Sequence, residues 1–157
     1  MTRRKLISSL IFLIIFTSCG FKVVHQDSLK NYNIKEITTI GDNKINYLLK
    51  SKLRTDQNIQ KQKSFAINLK TQKIRNIKEK NIKNEIIKYE LKIIAEIEYL
   101  TLGEGNSGKF ILSESGDYEV AKIYSNTLNN EKNLVKILTD KISNKINENL
   151  IKIVNDL

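Results

Sequence analysis

The strongest pattern in the chain is an alternation from Ile87 to Tyr99. Ile87, Tyr89, Leu91, Ile93, Ala95, Ile97 and Tyr99 put apolar or aromatic groups on one side, while Lys88, Glu90, Lys92, Glu96 and Glu98 share the other side with Ile94. Successive side chains of a strand point to opposite faces, so this run predicts a strand with one buried and one wet face. A sheet built around it needs a cover on one side only.

The flanking segments supply neighbours and cover. Ile34–Ile40 is rich in β-branched residues and reads as a strand, broken by Gly41-Asp42, where Asp42 is a plausible N-cap. Ile45, Leu48, Leu49 and Leu53 then recur at helical spacing with Asn46, Lys50, Lys52 and Arg54 off the stripe, which predicts an amphipathic helix from Asp42 to about Asp56. Phe65, Ile67 and Leu69 return to strand period. From Thr71 to Glu79 the pattern weakens, and the segment reads either as a polar strand arm that leaves the core or as a loop. A turn falls near Lys80 to Glu85. A fourth strand is expected from Phe110 to about Ser125, bent or bulged at Gly116-Asp117 and resumed by Tyr118, Val120, Ala121, Ile123 and Tyr124. Thr127 to Asn130 offers N-cap residues. Leu134, Val135, Leu138, Ile142, Ile146, Leu150, Ile153 and Leu157 then mark a long helix, with Lys136, Asp140, Lys141, Asn144, Lys145, Asn147 and Glu148 on its other sides.

These elements predict an α/β (α+β) domain of order β-α-β-β-β-α. Two amphipathic helices pack on one face of a four-stranded, mostly antiparallel sheet. The terminal stripe also suits a coiled-coil seam, but the apolar sheet face calls for a cover.

The N-terminus is patterned differently. Arg3, Arg4 and Lys5 precede an apolar run from Leu6 to Phe16, and small residues lead into Cys19, the one cysteine of the chain. A charged start, a short apolar stretch and a small-residue processing site make an export signal. The run is too short to span a bilayer comfortably, which takes roughly 20 apolar residues. Phe16-Thr17-Ser18-Cys19 resembles the lipobox of bacterial lipoproteins, with Phe16 where the family has a large aliphatic residue. That resemblance implies cleavage before Cys19, an S-linked diacylglycerol and an N-acyl chain. The competing reading is an ordinary signal peptide, or an uncleaved anchor, in which Cys19 is incidental. The expected organisation is a signal over residues 1–18, a lipidated tether over 19–33 and a single domain over 34–157.

Charge changes the picture modestly. The net charge of +10 falls to about +7 once Arg3, Arg4 and Lys5 leave with the signal, which still suggests an anionic partner. Export argues against nucleic acid. Heavy use of Lys, Asn and Ile with no Pro or Trp also fits codon bias. With Cys19 acylated, no thiol is left for a disulfide.

Catalytic chemistry finds no candidate set. His25 stands alone in the tether, with no second His to share a metal. Gly103 to Lys109 matches G-x-x-x-x-G-K, but Phe110 stands where a phosphate loop needs Ser or Thr, and a strand follows instead of a helix. It reads as a hairpin loop. Glu96 and Glu98 are more simply part of a salt-bridged face with Lys88 and Lys92 than an acid/base pair. No enzyme activity and no cofactor are expected.

The mature chain as a whole resembles the LPS-assembly lipoprotein family LptE, partner of the outer-membrane LPS translocon LptD. Cys19-Gly20-Phe21, the strand and helix over 34–56, the strands around Phe65–Leu69 and Tyr89–Tyr99, and Val120-Ala121-Lys122-Ile123-Tyr124-Ser125 before the last helix carry the resemblance. The connection between Ser125 and Leu134 is shorter than in longer members. The resemblance implies a lipid-anchored protein on the periplasmic side of the outer membrane. It would plug and help assemble a large LptD-like β-barrel and contact lipopolysaccharide. Gly20, where an Asp would retain the chain in the inner membrane, fits that address. Lys109, Lys73, Arg75 and Lys78 are then the candidate LPS-binding residues, each also readable as a solvated surface cation. The second reading is an auxiliary envelope lipoprotein that binds or hands on phospholipid without a barrel. A deep apolar pocket between sheet and helices would favour it.

Cys19→Ser leaves no thiol to acylate. Metabolic labelling with palmitate is expected to mark the unaltered chain and not the variant, and equal labelling of both overturns the lipidation reading.

Overall fold

A computed structural model of the protein describes residues 32–53 and 63–156. Strand β1 (Tyr32–Gly41) leads into helix α1 (Asn43–Leu53). Strands β2 (Lys63–Lys80), β3 (Ile86–Leu102) and β4 (Ser107–Glu119) follow, and helix α2 (Tyr124–Asp156) comes last. The sheet order is β1-β2-β3-β4; β1 runs parallel to β2, and the other two pairs are antiparallel. Fold class and element order are those the pattern predicts.

The alternation in β3 builds the core. Leu91, Ile93, Ala95 and Ile97 are fully buried, and the register sets Leu69 of β2 and Phe110 of β4 on either side of Ile97. Phe65 and Ile67 extend this face along β2. Against it α1 packs Ile45, Leu49 and Leu53, and α2 packs Val135, Leu138, Ile142, Ile146 and Leu150. Each such aliphatic side chain contributes about 1.5–3 kcal/mol on burial, so the covered face supplies most of the driving force.

Two hydrogen bonds pin the helices inside this apolar layer. The Tyr32 hydroxyl donates to Asn147 Oδ1 at 2.8 Å, joining β1 to α2. The Thr71 hydroxyl donates to Asn46 Oδ1 at 2.7 Å, joining β2 to α1. Helical periodicity sets Asn46 and Asn147 off the apolar stripes, yet both are buried. The donors explain the difference: a buried amide oxygen is tolerated when a hydroxyl from the sheet satisfies it.

The β1–α1 junction is tightly determined. Gly41 has φ +109°, and a Cβ there would lie 1.9 Å from Thr71 O, so only glycine fits against β2. Asp42 then caps α1, its Oδ1 accepting from the backbone N–H groups of Lys44 and Ile45 at 3.0 Å each.

Elsewhere the structure settles or changes what the pattern left. The segment after Thr71 is strand, and β2 runs on to Lys80 beside β3, with irregular register from Ile77 to Lys80. β4 begins earlier than expected and passes through Gly116-Asp117 in continuous register, without the expected bulge. Gly116 faces α2, where a Cβ would come 2.9 Å from Leu134 Cδ1, so its function is clearance for the helix. The strand does not resume after Tyr118 beyond Glu119, and α2 starts at Tyr124 rather than after Thr127. The polar residues expected to cap that helix reach backwards from within it. Thr127 Oγ1 accepts from Ala121 N–H at 2.9 Å, and Asn130 Nδ2 donates to Glu119 O at 3.0 Å. They hold the chain in a sharp reversal that leaves Ile123 and Tyr124 exposed.

The two sheet faces differ enough to be told apart by truncation. Ile93→Ala is expected to lose about 2–5 kcal/mol in urea unfolding through the cavity it leaves. Ile111→Ala, on the solvent face, is expected to stay within about 0.5 kcal/mol of the parent.

Candidate functional site

The inward alternation of β2 does not stop at the edge of the core. After Phe65, Ile67, Leu69 and Thr71, the same face continues as Lys73 and Arg75. The strand thus carries two cations past the apolar layer, on the side of the sheet that α2 covers. Glu131, in the second turn of α2, meets both. Lys73 Nζ lies 3.1 Å from its Oε1 and Arg75 Nη1 3.7 Å from its Oε2. The Tyr118 hydroxyl of β4 donates to the same Oε2 at 3.3 Å.

Aromatic rings complete the group. Register places Tyr89 of β3 opposite Tyr118, and their rings stack at 5.5 Å with 26° between planes. The Arg75 guanidinium lies over the Tyr89 ring, 4.9 Å from its centre. A cation over such a face gains about 0.5–1 kcal/mol at an exposed site, which orients the group as much as it stabilises it. Burial first, and then the Glu131 charge, push the Tyr118 hydroxyl above its ordinary pKa, against the opposing effect of Arg75. The Arg75 guanidinium is pushed above its ordinary pKa first by its hydrogen bond with Tyr118 and further by the Glu131 carboxylate. The Arg75 side chain is still 54% exposed, so part of its N–H fork faces solvent. Chemically this is an anchored cation beside a ring stack, suited to binding an anion rather than to bond-making.

The other two candidate cations sit elsewhere. Lys78, in the irregular end of β2, bonds to Asp117 of β4. Lys109 is not at the hairpin tip. It lies within β4, while the tip is Gly103 to Asn106, with Gly103 and Gly105 at positive φ. Lys109 bonds to Glu96 and lies 3.9 Å from Glu98, both on the solvent face of β3. The hydrogen bond with Lys109 holds the Glu96 carboxyl below its ordinary range. Asn68 Nδ2 donates to Glu98 Oε2 at 3.1 Å, and Lys88 pairs with Glu79. The outer face is therefore laced across strands, as expected, but Lys109 is the main partner of Glu96. The structure brings Lys73 and Arg75 together and leaves Lys78 and Lys109 apart from them.

Sequence reasoning missed Glu131, Tyr89 and Tyr118 as parts of this group. A signal was present. Tyr89 lies near the start of the apolar face of β3 and Tyr118 ends that of β4, so antiparallel pairing could have set them side by side at one end of the sheet.

Two depressions of about 300 and 290 Å³ open to solvent. One lies on the outer sheet face, lined by Glu36, Thr38, Asn68, Glu98 and Leu100; the other lies between the end of β4 and α2, beside Leu134 and Ile137. Cys19 and His25 lie outside the described residues. Among the described residues no group of three His, Cys, Asp or Glu side chains could hold a metal ion, and no helix is long and apolar enough to cross a membrane.

No protein-family model matches the chain, and no curated protein sequence does. Solved structures do. The chain is similar to the rare lipoprotein B from Shewanella oneidensis, at 12% identity and a TM-score of 0.57 over 77% of this chain and 97% of that one. It is also similar to a lipoprotein from Caulobacter crescentus CB15, at 17% identity and a TM-score of 0.55 over 83% of this chain and 96% of that one. At these identities what is shared is the fold.

The Glu96 carboxylate is favoured in the folded state, so its contribution to stability is present at neutral pH and lost as pH falls through its lowered folded-state value. Lys109→Met removes that contribution. Between about pH 7 and pH 3 the parent is expected to lose more of its urea midpoint than the variant; parallel losses overturn the assignment.

Proposed function

We propose that this chain is an envelope lipoprotein, held to the outer membrane by acyl chains on Cys19, that plugs a large β-barrel LPS translocon and helps it assemble. In that role it would aid LPS insertion into the outer leaflet. The observation that carries the reading is the contrast between the two sides of the sheet. One side is sealed by both helices over a filled core, and the other is a wet lattice of ions reaching from Asn68 and Glu98 to Lys109. The lumen of a large outer-membrane barrel is polar, so a body seated in it must be solid within and hydrophilic on the surface it presents.

Three further observations support it. The two solved structures that the chain is similar to are described as lipoproteins, which agrees with the lipobox-like stretch at Cys19. The chain is basic, and lipid A carries phosphates. Arg75 offers part of its fork to solvent beside a ring stack that holds it in place. A phospholipid carrier would instead need an apolar cavity between sheet and helices. That space is occupied by fully buried Tyr32, Phe65, Leu91, Ile142 and Ile146.

Affinity purification of the chain from detergent-solubilised membranes tests the proposal. A stable one-to-one complex with a large barrel protein is the expected result. Repeated recovery without a barrel, with phospholipid bound instead, overturns it.

A further inference from the structure

The depression of about 300 Å³ on the outer sheet face has a simple origin. Across the sheet, register sets Glu36 of β1 beside Ala66 of β2, and Ala66 beside Leu100 of β3. The middle residue of that row has almost no side chain, so the row dips between its two ends. The next row, Thr38, Asn68 and Glu98, forms a wall. Thr38 Oγ1 donates to Asn68 Oδ1 at 3.1 Å, and Asn68 Nδ2 donates to Glu98 Oε2 at 3.1 Å. The Glu98 side chain is held by this relay and is still 51% exposed.

Glu36 reaches this face because of the irregularity in β1. Ile34 and Ile37 both face the core, three positions apart, where strict alternation allows only even spacings. The extra residue between them turns Glu36 outward, which is how a bulge re-aims a side chain. Once there, Glu36 makes no hydrogen bond or ion pair among the described residues. Lys109, the nearest cation to Glu98 at 3.9 Å, is bonded to Glu96. In a chain of net charge +10, two carboxylates therefore rim this hollow, one of them unpaired.

The opposite rim is apolar. Leu100 is 41% exposed, and Leu102, the next outward position along β3, is 37% exposed. An apolar ledge facing two acceptors selects its occupant. A bare divalent cation would leave the ledge without contact and needs more oxygen ligands than this hollow supplies. An acyl chain would cover the ledge but strip water from Glu36 without replacing its hydrogen bonds. A long cationic side chain suits both, with its stem on the apolar surface and its head among the acids. Arginine suits them better than lysine, because its planar fork of N–H donors bridges two carboxylates where an ammonium is a point charge. Two strand spacings, about 10 Å, separate β1 from β3, which leaves room for a guanidinium between the acids.

We infer that the hollow receives an arginine side chain from the inner wall of the barrel. Its stem lies over Ala66 and Leu100, and its guanidinium sits between Glu36 and Glu98. This contact presupposes the barrel-plug reading and adds to it a place and a chemistry. One hollow takes one arginine, in keeping with one chain per barrel. It also fixes the seating, because a guanidinium displaced from its carboxylates within a closed interface is costly.

The test compares recovery of the barrel by variants of the full chain, purified from detergent-solubilised membranes. Glu36→Arg sets like charges face to face and is expected to lower recovery at least about tenfold, with a smaller loss for Glu36→Gln. Glu90→Arg makes the same charge change on the outer face of β3, away from the hollow, and is expected to stay within about twofold of the parent. Circular dichroism and urea midpoints check that each variant folds. A photo-crosslinking benzophenone side chain in place of Leu100 then identifies the occupant. The expected adduct is a barrel peptide that contains an arginine. Changing that arginine to glutamate in the barrel is expected to restore recovery by Glu36→Arg. Undiminished recovery by Glu36→Arg, or equal losses for Glu36→Arg and Glu90→Arg, overturns this contact and leaves the plug reading standing. So does an adduct with lipid or with another segment of this chain. Failure of the parent itself to recover a barrel overturns both.

Discussion

Everything in this molecule answers to the dry face of β3. Leu91, Ile93, Ala95 and Ile97 form a strip with no contact with water, and a strip of that kind cannot exist on an isolated strand. β2 and β4 extend it sideways, and α1 and α2 close it from above. The charged residues between those positions have no such option and share the opposite face. One alternating run therefore determines both the interior and the wet exterior, and with them the character of the surface that any partner meets.

The polar contacts around the core act as locators. Apolar packing would let either helix slide along the sheet at modest cost, because cores tolerate alternative fillings of similar volume. Tyr32 to Asn147 and Thr71 to Asn46 give each helix one position at which a buried amide is satisfied. Glu131 does the same at the outer end of α2, where it gathers Lys73, Arg75 and Tyr118. The group that holds Arg75 in place is thus also the group that fixes the start of the long helix.

Much of this was legible in the sequence where a single period dominates. The thirteen-residue alternation of β3, the stripe of α2 and the Gly41-Asp42 break each come from local rules, and they reappear nearly unchanged. What escaped depends on contacts between distant residues. Asn46 and Asn147 look like surface residues until Thr71 and Tyr32 are known to face them. Gly116 looks like a bulge until Leu134 is known to lie over it. Thr127 and Asn130 look like a helix start, but they bond to the chain before them. Of the candidate site, the cations were visible as charges, while Glu131 and the Tyr89–Tyr118 stack required the strand register.

The parallel pairing of β1 with β2 has a temporal consequence. β1 is the first described element of the chain, yet Tyr32 is satisfied by Asn147, 115 residues later. A chain that emerges N-terminus first cannot finish its first strand until nearly its last helix has arrived. Contacts of such long separation form late, because the loop they close must be ordered beforehand. β1, the first described strand, would then be the last to become rigid.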